Sequence, residues 1–119
     1  VLTTLFHYPS FVLDVKNAIS SGLVKEKIDQ VKTAQVLILD DIGAEQSSPW
    51  MRDEILQVIL QHRMQENLPT FFTSNFSFAD LERHFASSKN GDETWQAKRV
   101  MERIKFLAQE VRLEGENRR

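Results

Sequence analysis

Asp40 and Asp41 follow directly on the unbroken apolar run Val36-Leu37-Ile38-Leu39. A carboxylate just past the end of a buried strand can hold Mg²⁺, usually through water, because that ion dehydrates reluctantly. A second carboxylate beside it can orient or deprotonate an attacking water. Four apolar residues followed by two acids have the form of a Walker B segment; read alone, the two acids can equally cap a loop. Further on, Thr73-Ser74-Asn75 closes a second β-rich run that begins at Thr70. An amide there can bond a phosphate or a water without adding charge, although Asn is also common in turns after strands. If the two strands are neighbours, Asn75 stands beside Asp40 and Asp41 on the edge where open α/β sheets bind ligands. Arg99 and Arg103 lie four apart and share a helix face. Two guanidinium groups so placed can clamp phosphate oxygens bidentately, or simply form a charged, solvated face. Glu102 does not share that face. Arg118 and Arg119 repeat the signal more weakly.

Other chemistries fare poorly. The chain has 119 residues and no Cys, which excludes a disulfide scaffold, a thiolate zinc site and a cysteine nucleophile. His7, His62 and His84 have no spacing that suggests a metal site. No Ser or Thr near a His carries a nucleophile signature. Trp50 and Trp95 begin helices, where anchoring is the expected role. Phe71-Phe72 belongs to a core strand rather than an RNA-stacking platform. The hydrophobic set makes up 41% and the charged residues 27%, with a net charge of −2, as in globular domains and unlike disordered chains. No apolar run approaches the ~18–20 residues of a membrane span, and no signal peptide is visible, so a cytoplasmic protein without membrane contact is expected. Residues 98–119 hold 7 basic and 4 acidic groups against 8 and 13 in residues 1–97, so the basic end is the part able to meet phosphate.

The elements that must position these groups alternate. Leu2–Tyr8 reads as a strand. Pro9 and Ser10 open a helix with Phe11, Val12, Val15 and Ile19 on one face, closed by Gly22. Val24, Ile28 and Val31 mark a second helix. Val36–Leu39 suits a strand buried on both faces. Ser48 and Pro49 start a helix to about Glu66, with Met51, Ile55, Val58, Ile59 and His62 on one side and Asn67 and Pro69 as its stop. Thr70–Thr73 is a strand. Ser77 and Asp80 cap a helix through Leu81 and Phe85. Ser87–Asp92 reads as a mobile loop. Glu93 to about Ala108 is helical, with Gln96, Val100, Ile104 and Leu107 on one face. Glu110–Leu113 is a last strand and Gly115–Arg119 a polar tail. This order predicts an α/β layer fold, a single domain over residues 1–119, with a mostly parallel sheet and right-handed crossovers.

Four segments occur together and in order: Val36–Glu45 (VLILDDIGAE), Phe71–Phe76 (FFTSNF), Arg99–Ile104 (RVMERI) and Leu113–Arg119 (LEGENRR). Over essentially the whole length the chain resembles the AAA+ ATPase domain of bacterial replicative helicase loaders. It is similar to the primosomal loaders of Gram-positive bacteria, within the DnaC/IstB-like clade. The resemblance implies a P-loop NTPase-type parallel sheet flanked by helices, with ATP and Mg²⁺ as cofactors. Asp40 then corresponds to the Walker B residue that positions Mg²⁺ and nucleotide. Asp41 takes the place of the water-activating carboxylate, which is often Glu in AAA+ proteins. Asn75 matches the sensor 1 residue near the γ-phosphate. Arg103 matches the arginine finger that completes a neighbouring subunit's site, with Arg99 as its companion. Arg119 matches the nucleotide-contacting sensor 2 arginine, with Arg118 as the alternative.

One departure is large. The Walker A loop G-x-x-x-x-G-K-[ST] does not occur; the four glycines are Gly22, Gly43, Gly91 and Gly115, and none precedes a Lys. In the resembling family that loop, its strand and its helix come before the segment starting at Val1, and a zinc-bearing helicase-binding domain comes earlier still. The chain is therefore expected to be the Walker B to sensor 2 part of the domain, inactive alone, with exposed strand edges. The implied function is ATP-dependent loading of the replicative DNA helicase onto single-stranded DNA during primosome assembly, by a homo-oligomer joined through the arginine finger. Lys16, Lys25, Lys27 and Lys32 fall where relatives line the DNA path, interspersed with Glu26 and Asp29. Two alternatives stay open: an IstB-type transposition helper ATPase, and a non-catalytic module binding helicase or DNA.

Overall fold

The computed structural model describes residues 2–46, 48–88 and 91–108. Strand β1 (Thr3–His7) leads into helix α1 (Tyr8–Ala18) and helix α2 (Val24–Lys32). Strand β2 (Val36–Asp40) follows. A π-helix (Met51–Leu56) then runs straight into α3 (Gln57–Gln65). Strand β3 (Thr70–Phe72), helix α4 (Phe78–Ala86), two-residue strands β4 (Ser87–Ser88) and β5 (Gly91–Asp92), and helix α5 (Thr94–Leu107) complete the described elements. The expected last strand at Glu110–Leu113, and Arg118 and Arg119, lie outside the described residues.

The main sheet has the order β1-β2-β3, all parallel, with helices between consecutive strands. Its register aligns Phe6 with Leu39 and Leu39 with Phe72, which form one row across the three strands. Leu37 and Leu39 are buried, and Phe6 and Phe72 pack against the same core. All five α-helices contribute to that core or pack on it, including Val15, Val31, Leu60, Phe85 and Ile104. The next row, Leu5, Ile38 and Phe71, points the other way. Leu5 is 60% and Phe71 57% exposed, and Ile38 is half-buried. β2 therefore alternates between buried and half-buried residues rather than being covered on both faces as its apolar run suggests. The described helices lie on one side of the sheet only.

Helix ends follow local chemistry. Gly22 takes φ +74° after α1, where Leu23 N–H reaches back to the Ala18 carbonyl (3.1 Å). Asn67 takes φ +54° after α3, with Leu68 N–H on the Arg63 carbonyl (2.9 Å) and Asn67 N–H on the Met64 carbonyl (3.3 Å). Both are left-handed stops of the kind Gly and Asn accept readily. Ser77 Oγ accepts from Asp80 N–H (3.1 Å), so the expected cap of α4 is present.

Three further expectations need correction. The helix expected from Ser48 to Glu66 begins as a π-helix, and its buried residues are Met51, Arg52, Ile55, Leu56, Ile59, Leu60 and Arg63. They recur every four residues, because a π-turn holds more residues than an α-turn. Val58 is accordingly exposed and His62 half-buried. In the other helices, Ala18 and Ala97 occupy core positions, while Ile19 is exposed and Gln96 half-buried. The segment expected as a loop at Ser87–Asp92 contains an antiparallel ladder pairing Ser87 with Asp92 and Ser88 with Gly91.

Candidate functional site

The polar ends of β2 and β3 meet through Thr73. Its hydroxyl donates to Asp40 Oδ1 (2.5 Å) and accepts from Asp41 N–H (2.8 Å). The backbones interlock at the same point: Thr73 N–H bonds the Leu39 carbonyl (3.0 Å), and Ile42 N–H bonds the Thr73 carbonyl (2.9 Å). Ser74 Oγ ties in the Ile42 carbonyl at 2.6 Å. Asp41 and Asn75 line one small cleft with Gly43 and Phe76. The structure thus brings Asp40, Asp41 and Asn75 to a single rim, past the carboxyl ends of two adjacent parallel strands. Neither Asp40 Oδ2 nor the exposed Asn75 carboxamide has a bonding partner among the described residues.

Asp41 sits at φ +62°, a left-handed conformation that is uncommon outside Gly and that Asp tolerates. Its carboxylate Oδ2 is 3.4 Å from His7 Nε2, and His7 Nδ1 is 2.9 Å from Ser10 Oγ. The His7 ring thus stands between Ser10 and Asp41. Gly43 takes φ +104°, and a Cβ there would stand 2.7 Å from a Phe76 ring carbon. Only glycine lets this loop pass so close beneath Phe76. Beyond it, buried Glu45 accepts from Gly43 N–H (2.8 Å) and bonds His84 Nε2 (2.8 Å). The loop is thereby fastened to α4. Burial, and then the charge of Glu45, push the Tyr8 hydroxyl well above the ordinary phenol range.

The residues fit a hydrated divalent cation in their donor chemistry. Asp40 offers a carboxylate oxygen on an open rim, and Mg²⁺ sites use one or two carboxylates together with substrate phosphates. Among the described residues no group of three or more His, Asp and Glu is arranged to hold an ion by itself.

Arg99 and Arg103 share one face of α5 but stand apart from this rim. Arg103 is half-buried; its Nε donates to Gln61 Oε1 (2.8 Å) and its Nη1 to the Arg99 carbonyl (3.2 Å). Arg99 lies over the Trp95 ring at 5.1 Å. Both arginines line a groove of about 490 Å³ with Lys32 of α2 and His62 of α3. Trp95 is 65% exposed and is a platform for Arg99 rather than the anchor expected. Lys25 is engaged with Asp29 (2.9 Å), which raises the lysine pKa and lowers that of the aspartate.

Sequence reasoning passed over Thr73 as a linker, His7 and Gln61. Thr73 and His7 could have been found from a parallel register, which places His7 opposite Asp40. Gln61 carries no motif, and only the contact between α3 and α5 reveals it.

A parallel sheet with acidic and amide groups gathered past its carboxyl ends makes this an α/β protein with its polar groups at the edge where such sheets bind ligands. The chain belongs to the IstB-like ATP binding protein family, whose model matches residues 5–119. It is 50% identical over 116 residues to the replicative helicase loader DnaI of Bacillus subtilis (strain 168), which covers 97% of this chain and 37% of that protein. A crystal structure of DnaI superposes with a TM-score of 0.81 at 42% identity, covering 92% of this chain and 56% of that one. A putative primosome component from Streptococcus pyogenes serotype M3 gives 0.73 at 62% identity, covering 100% and 55%. The chain therefore spans a little over a third of the curated relative's length. Among the described residues no helix is long and apolar enough to cross a membrane.

Proposed function

We propose that this chain is the Walker B to sensor 2 part of the AAA+ domain of a replicative helicase loader. The protein that carries it would use ATP and Mg²⁺ to place the replicative helicase on single-stranded DNA. The observation that carries the reading is the Asp40–Thr73–Asp41 bridge with Asn75 on the same rim. Similarity to DnaI supports the loader role over the transposition-helper alternative.

When bound, ATP supplies the phosphoryl group and Mg²⁺ offsets the charge that develops on it. Asp40 would be the residue that holds the hydrated cation, its Oδ1 already fixed by the Thr73 hydroxyl. Asp41, turned by its left-handed backbone and steadied by His7, orients the attacking water. Asn75, on the same rim, would offer its amide to the γ-phosphate. Arg103 serves the site of a second copy, with Arg99 beside it. Arg119, or Arg118 in its place, completes the nucleotide contacts from outside the described residues.

The test is nucleotide binding and hydrolysis by the full-length protein. Asp40→Ala should weaken magnesium-dependent nucleotide binding, and Arg103→Ala should abolish cooperative turnover while sparing the fold. Unaltered turnover in either variant would overturn the role given to that residue, and a full-length protein that neither binds nor hydrolyses nucleotide would be a non-catalytic module.

A further inference from the structure

The arginines with side-chain bonds to other elements are used differently. Arg52 is buried and doubly ion-paired, to Asp53 (2.7 Å) and Glu93 (2.6 Å). Arg63 is buried and spends its donors on carbonyls and on Thr70 Oγ1. Arg103 is held only by neutral acceptors, Gln61 Oε1 and the Arg99 carbonyl. It makes no ion pair among the described residues, and its Nη2 has no partner there. Its groove also presents Lys32 and Arg99, and no carboxylate lines it.

We propose that Gln61 is the positioning residue that aims Arg103 at a phosphate oxygen presented by a second copy of this chain. The inference rests on the Arg103 role proposed above. A flexible guanidinium must be restrained to strike a fixed target, yet it must arrive with its charge unspent. A carboxamide meets both needs. It accepts from Nε, which fixes the plane of the fork, and it leaves the positive charge uncompensated. A carboxylate at the same place would hold the arginine more firmly and quench it. Position 61 therefore requires a neutral acceptor.

This separates the proposal from a merely structural bond. If Gln61 only steadies α5 against α3, Gln61→Glu should be as good as the natural residue or better. If it positions a charge for use elsewhere, Gln61→Glu should be the more damaging change and Gln61→Met, which removes the acceptor at similar volume, the milder one. The experiment is steady-state ATP hydrolysis by the full-length protein at self-associating concentrations. It compares Gln61→Glu, Gln61→Met and Arg103→Ala, with circular dichroism to show that each is folded. We expect Arg103→Ala to lose about 10³-fold in kcat, Gln61→Glu about 10-fold or more, and Gln61→Met about 3-fold, with KM for ATP within about twofold throughout. Gln61→Glu turnover equal to the unaltered protein, with Arg103→Ala strongly impaired, would overturn the role of Gln61 alone. Unimpaired turnover in Arg103→Ala would remove Arg103 from the reaction, and Gln61 with it. Should Gln61→Glu fail to fold, the ratio of Gln61→Met to Gln61→Asn decides: the shorter amide should recover part of the kcat lost by Met, and no recovery would overturn the proposal.

Discussion

Arg63 shows how one side chain can organise several elements. It is fully buried on α3, and its guanidinium donates to the carbonyls of Val31 (3.2 Å), Lys32 (3.2 Å), Ala34 (2.6 Å) and Pro69 (2.7 Å) and to Thr70 Oγ1 (2.7 Å). It thus closes the end of α2 and the approaches to β2 and β3, and burial lowers its pKa from the usual arginine range. Arg63→Met fills the space but leaves those carbonyls without a donor; the expected loss is about 3–5 kcal/mol of unfolding free energy, read from the urea midpoint. Arg63→Lys should recover only part of it, since an ammonium cannot fork across the same set. Thr73 works by the same economy at the rim, with one hydroxyl serving both Asp40 and the Asp41 backbone. Thr73→Val keeps the shape and removes the bridge. It should cost about 1 kcal/mol in stability and about tenfold in the full-length protein's ATP turnover, whereas Thr73→Ser should keep most of both. Valine turnover matching the natural residue would show that the bridge has no part in the chemistry.

Elements are where sequence and structure can be compared, and a capped helix gives the cleanest case. Ser77 is followed three residues later by Asp80, and the bond this spacing implies is present in α4. Ser77→Ala should lower stability by about 1 kcal/mol and Ser77→Asp by much less, measured by chemical denaturation. The parallel strands, the Gly22 and Asn67 stops and the meeting of Asp40, Asp41 and Asn75 were equally legible, because each depends on local chemistry or on one crossover. The register of the helix after Pro49 was not. An α-period places Val58 and His62 inward, and the π-turn replaces them with Leu56, Leu60 and Arg63. The extra residue per turn is favoured by tertiary contacts: buried Arg52 reaches the Phe85 carbonyl (2.9 Å) and Glu93 (2.6 Å) on other elements. A window of sequence cannot register the Arg52 bonds, whose partners lie more than thirty residues away. The β4–β5 ladder is local by comparison, closed by Glu93 N–H on the Ala86 carbonyl (2.8 Å), but its two-residue strands carry no alternating apolar pattern. The two-sided burial expected of Val36–Leu39 failed for a different reason, since an apolar run records what a strand tolerates and not which of its faces is covered.

At the scale of the molecule, the face left uncovered among the described residues is the main departure from a closed α/β layer. The described helices pack one side of the sheet, where Leu37 and Leu39 are buried, while Leu5, Ile38 and Phe71 form a continuous apolar row on the other. β3 is also paired along only one of its edges among the described residues. Apolar side chains in a row beside unpaired strand backbone favour association in water, through both burial and strand addition. The 119-residue chain by itself should therefore self-associate at micromolar concentration, with the contact centred on this row. Leu5→Lys combined with Phe71→Lys puts two charges into the contact without touching the core, because both side chains are already more than half exposed. Sedimentation velocity should show assemblies for the natural chain and a monomer near 13.8 kDa for the double variant. Circular dichroism should be unchanged, because the helices on the opposite side of the sheet do not depend on those positions. A natural chain that remains monomeric at high concentration would mean that the row is hydrated at little cost. Association that survives both lysines would move the contact away from this row, to the β3 edge or to another exposed apolar position such as Leu13 or Phe106.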